Sequence, residues 1–134
     1  AMATETILDK VLNDTDARVR ANAIEVLEAK QAQEYVPLLA QRARSTHNRE
    51  RANAIKALHR MKVKNETIAL SGMLQDQRPE HRISALWALK SIGWWQLLNE
   101  VGRLAKADDN LRVRRYALSV LKGVAEMMRG SKAG

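Results

Sequence analysis

Five residues, Arg20-Ala21-Asn22-Ala23-Ile24, recur letter for letter as Arg51-Ala52-Asn53-Ala54-Ile55, and weaker copies begin at Arg82 and Arg114. The spacings are 31, 31 and 32 residues. Self-similarity at a fixed period of this length marks a chain that stacks one supersecondary unit on the next instead of wrapping a single core. Each unit must then bury its apolar stripe against its neighbours, which fixes what the unit can be.

Aligning the copies gives columns: Ala23, Ala54, Ala85 and Ala117, then Ile24, Ile55, Leu86 and Leu118, then Leu27, Leu58, Leu89 and Leu121. Offsets of i, i+1 and i+4 place these on one face of a helix. The spacing predicts second helices over 17–29, 49–61, 80–92 and 111–127. The alanine column falls where neighbouring helices approach closely, since a larger side chain there would overpack the contact. Ahead of each lies a first amphipathic stretch: Leu8, Val11 and Leu12, then Leu38, Leu39 and Ala43, then Leu70, Met73 and Leu74, then Leu98, Val101 and Leu104. Polar turns join them, at Asn13–Asp16, Ser45–Asn48, Asp76–Pro79 and Asp108–Asn110, and supply side chains that cap helix starts. Pro79 suits a first helical turn, and Gly93 a helix C-terminus. With no Phe, five aromatics and two prolines, the composition favours helix over strand.

The turn Asp14-Thr15-Asp16-Ala17-Arg18-Val19-Arg20, echoed at Asp108 to Arg114, resembles HEAT repeats of the short bacterial type, the type also found in bilin-lyase-related proteins. The second unit departs from it, with Ser45 and Asn48 where Asp is expected. The resemblance covers nearly the whole chain. It implies an all-α, right-handed α-α solenoid of four helix pairs, forming one domain over residues 1–134 with repeats at about 4–31, 34–62, 65–93 and 95–127. A flexible tail is expected over 129–134. The resemblance also implies a structural role for Arg20, Arg51, Arg82 and Arg114, bridging to acids of the turns. HEAT-like domains commonly serve as non-catalytic scaffolds, so a protein partner is expected. The helices at both ends lack strongly polar caps, as expected of a piece of a larger chain.

Once the core columns are set aside, one stripe of each second helix is left to specialise. Its rows are Arg18, Asn22, Glu25 and Ala29; Arg49, Asn53, Lys56 and Arg60; Glu80, Ser84, Trp87 and Ser91; and Arg112, Tyr116, Ser119 and Gly123. Stacked second helices turn such stripes into the concave face of a solenoid. Trp87 and Tyr116 replace polar residues of the other rows, and exposed aromatics beside Arg have the composition of a binding hot spot. The alternative is that both rings tuck against neighbouring repeats. Residues 42–64 carry eight cations against Glu50 alone, and Arg49, Lys56 and Arg60 share the stripe. They suit acidic side chains or phosphates, or form a solvated face. The expected partner-binding set is therefore Arg49, Asn53, Lys56, Arg60, Trp87, Arg112 and Tyr116.

Two partner classes fit a net charge of +8: a protein, with an acidic one matching the charge, or nucleic acid held by the basic patch with stacking aromatics. DNA glycosylases of HEAT-like fold are similar in architecture, but none of their catalytic residues can be matched here. The chain has no cysteine, which excludes a thiol nucleophile, a thiolate metal site and a disulfide, and is compatible with a cytoplasmic setting. His47, His59 and His81 are scattered, and no phosphate loop, metalloprotease or nucleophile-elbow motif occurs. No enzyme activity, cofactor or metal is expected. No apolar run approaches the roughly 20 residues that span a bilayer.

Overall fold

The computed structural model describes residues 2–63, 66–93 and 95–133, and all regular structure among them is helical. Eight α-helices follow in order: α1 Met2–Leu12, α2 Ala17–Lys30, α3 Val36–Arg42, α4 Asn48–Arg60, α5 Glu66–Leu74, α6 Pro79–Ile92, α7 Leu98–Ala107 and α8 Leu111–Ala133. Short 3-10 turns, Gln33–Tyr35 and Trp95–Leu97, lead into α3 and α7. The second helices of the sequence pattern are α2, α4, α6 and α8, each within about a residue of its expected start. The last of them continues to Ala133, through the segment expected to be a tail.

The chain divides into two compact units, Ala1–Leu70 and Ser71–Gly134. In the first, α2 packs on α1 and α4, and α3 packs on α4. Its core gathers Leu12, Ala23, Ile24, Leu27, Leu39, Ala54, Ala57, Leu58 and Met61. In the second, α8 packs on α6 and α7, and Ala85, Leu86, Leu89, Val101, Val113, Ala117 and Val120 are buried. The alanine column is closed to solvent in all four helices, as close helix approach requires.

Leu118 departs from its expected column. Ile24, Ile55 and Leu86 are fully buried, whereas Leu118 is 46% exposed, and the burial on α8 is carried by Val113, Ala117, Val120 and Val124 at helical spacing. The complementary departure occurs on α2, where Val26 is exposed although its counterparts Ala57, Ala88 and Val120 are buried.

The turns repeat as faithfully as the helices. Asp14, Ser45, Asp76 and Asp108 occupy one column, and each accepts a hydrogen bond from the backbone N–H two residues on, at 2.8, 3.0, 2.9 and 2.9 Å. A hydroxyl does in the second turn what carboxylates do in the others. At the opposite end of the pairs, Gln31, Lys62 and Gly93 stand 31 residues apart and share a left-handed backbone, with φ of 51°, 61° and 67°. After α2 and α4 this closes Schellman motifs, with Ala32 N–H donating to Leu27 O at 3.1 Å and Val63 N–H to Leu58 O at 3.0 Å.

Candidate interaction surface

Two kinds of polar arrangement sit on this frame, and they must be separated before a surface can be named. The first lies in the turns. Arg20 donates from Nη1 to the carbonyls of Asp14 and Thr15, at 2.7 and 3.2 Å, and from Nε to Glu50 at 2.7 Å. Arg82 repeats this in the second unit, reaching Asp76 O and Gln77 O at 2.8 and 3.0 Å and pairing with Asp108 at 2.8 Å. Arg114 Nη1 donates to the carbonyl of Asp108. The guanidinium thus ties its own turn together and, at Arg20 and Arg82, reaches forward to the next.

Glu50 is the acid that the second turn otherwise lacks. It stands on α4 in the column of Val19, His81 and Val113, is 2% exposed, and also receives Arg42 Nη1 at 2.8 Å and Ser45 Oγ at 2.6 Å. Burial alone would raise its pKa, but the hydrogen bonds from Arg20, Ser45 and Arg42 outweigh it and hold the carboxyl at about 2. Asp108 is lowered in the same way, burial being outweighed by Arg82 and by the N–H of Asn110. These turn charges are satisfied internally and serve the fold. A groove of about 410 Å³ beside them, lined by Arg20, Arg42, Ser45 and Glu50, is therefore electrostatically closed.

The second arrangement lies on the second helices. In the first unit Arg49 is exposed on α4. Asn53, expected on the surface, is only 5% exposed, and its amide donates to Ala21 O at 3.0 Å. It thereby pins α4 to α2, because a buried amide needs a partner. Lys56 and Arg60 converge on Glu28 of α2, at 3.1 and 3.2 Å. In the second unit Trp87 is 37% exposed on α6 and Arg112 is exposed on α8. Tyr116 is half-buried, and burial raises the pKa of its hydroxyl. Trp95 is 40% exposed, whereas Trp94 lies outside the described residues.

Sequence reasoning missed Glu28 as the anchor of the α4 cations. The available signal was its place one helix back, in the row facing them. Among the described residues no group of three or more His, Asp or Glu side chains is arranged to hold a metal, and no helix is long and apolar enough to cross a membrane.

Paired helices at a period of 31 to 32 residues, with a repeated turn arginine, define a helical-repeat protein. The family model for HEAT repeats matches residues 4–77, more than half of the chain, and the chain belongs to that family. No curated protein is a significant match. HEAT repeats generally mediate protein–protein interaction and are typically non-catalytic scaffolds.

Proposed function

We propose that the chain acts as a non-catalytic scaffold, in a cytoplasmic setting, that takes a protein partner on its second helices, with α6 and α8 of the second unit presenting the contact residues. Trp87 carries this reading. It stands between the fully buried Leu86 and Ala88 and exposes a large indole where Glu25, Lys56 and Ser119 occupy the other second helices. Large aromatics at the surface supply contact area with few rotamers to freeze, which is why they anchor interfaces. Arg112 belongs to the same surface, and Tyr116 contributes the exposed part of its ring. Asn53 leaves the proposed set for the interior.

The nucleic-acid reading loses support in the first unit, because Glu28 already neutralises part of the charge of Lys56 and Arg60. The test is capture of a partner from lysate by the immobilised chain. Trp87→Ala and Arg112→Ala should lose the captured protein with unchanged far-UV circular dichroism, and Arg112→Ala with unchanged melting as well. Capture equal to wild type by both variants would refute the surface. For Tyr116 the informative variant is Tyr116→Phe, which keeps the buried ring and removes only the hydroxyl.

A further inference from the structure

The pairing of Glu28 with Lys56 and Arg60 gives a reference against which the second unit can be read. Counting by the repeat, Glu28 of α2 corresponds to Lys90 of α6, while Lys56 and Arg60 of α4 correspond to Ser119 and Gly123 of α8. The acid has become a cation, and the two long side chains that covered it have become the smallest available. What remains between α6 and α8 is a groove of about 480 Å³, lined by Lys90, Arg115, Leu118, Ser119, Lys122, Gly123 and Glu126. A Cβ added at Gly123 would meet nothing within 4 Å, so the floor is open there.

The charges of this groove are unspent. Lys90, Arg115 and Lys122 are all exposed, and none of their side chains has a hydrogen bond or ion pair to another described residue. They face Glu126 alone as a local acid. Leu118, 46% exposed, gives the wall an apolar strip. We propose that this groove receives a carboxylate from an acidic, leucine-containing segment of a protein partner, in the role that the chain's own Glu28 plays between α2 and α4. The proposal rests on the interaction-module reading and names the chemistry of the partner. A protein segment is favoured over nucleic acid because Glu126 on the rim opposes a continuous run of phosphates, whereas a peptide can set Lys or Arg beside its acid.

The test is a titration of the ¹⁵N-labelled chain with the peptide acetyl-Glu-Glu-Leu-Glu-Glu-amide, its all-Gln counterpart, inorganic phosphate and a 12-base-pair duplex. Saturable amide shifts centred on residues 87–91 and 115–126 are expected with the Glu peptide and not with the Gln peptide. The double swap Lys90→Glu with Ser119→Lys, which rebuilds the pair of the first unit, should weaken the Glu peptide at least tenfold. It should leave the melting temperature unchanged or raised. Gly123→Arg, which rebuilds the other cover, should occlude the groove independently. Equal binding by the Gln peptide or by both variants, shifts centred elsewhere, or preferential filling by phosphate or the duplex would overturn the proposal. Partner capture reports on the scaffold and the titration on the groove, so each can fail without the other.

Discussion

Glu50 shows how one buried residue can replace a missing motif. The second turn has Ser45 where the others have Asp, yet the latch survives because a carboxylate enters from the first turn of α4. Its folded pKa of about 2 lies below the ordinary 4.5, so the carboxylate stabilises the fold above about pH 4.5 and loses that contribution as pH falls towards 2. The difference corresponds to on the order of 3 kcal/mol. Glu50→Gln should therefore lower urea stability at pH 7 and flatten its acid limb between pH 4.5 and 2. Denaturation curves across that range check this, and an unchanged acid limb would show that the charge of Glu50 contributes nothing. The sequence concealed this residue because Glu at the start of a helix is ordinary, and only its column, apolar at Val19 and Val113, marks it as buried.

At the scale of the element, helices were legible and the partners of their polar side chains were not. Period and capping placed α2, α4, α6 and α8 because those signals are local, set by residues three or four apart. By its offset along α4 Asn53 falls in the surface stripe, and the approach of α2, whose Ala21 O accepts from its amide, takes it into the interior. Ends of helices were legible where the backbone requires a particular residue. Gly93 closes α6 at φ 67°, and a Cβ there would also meet the Trp95 ring at 3.2 Å. Gly93→Ala should cost about 1–2 kcal/mol from left-handed strain alone, read as a lower denaturation midpoint. Gln31→Gly, at the equivalent left-handed position after α2, should not destabilise the chain by a comparable amount.

For the whole molecule, net charge was read directly and proved a poor guide to where charge is available. Of the basic residues between 42 and 64, Arg42, Lys56 and Arg60 are engaged by Glu50 or Glu28, whereas Lys90, Arg115 and Lys122, which form no ion pair among the described residues, lie in a stretch that composition does not single out. Pairing across a separation of about 30 residues is invisible until the repeats are stacked. An excess of +8 will still attract polyanions nonspecifically. Duplex affinity should accordingly fall steeply with salt and match that of an unrelated protein of equal charge in a fluorescence-anisotropy titration; a clear excess over that control would restore the nucleic-acid reading.

The turn arginines have a consequence for how such a chain can lengthen. Arg20 and Arg82 each grip their own turn and reach the acid of the following one. The linkage is head-to-tail, with a donor leaving one repeat and an acceptor waiting on the next. A repeat duplicated in frame brings both halves with it and joins its neighbours without any new chemistry. Copy number can therefore change while the coupling stays the same, and the acceptor need only arrive as a carboxylate, from a turn or from a helix.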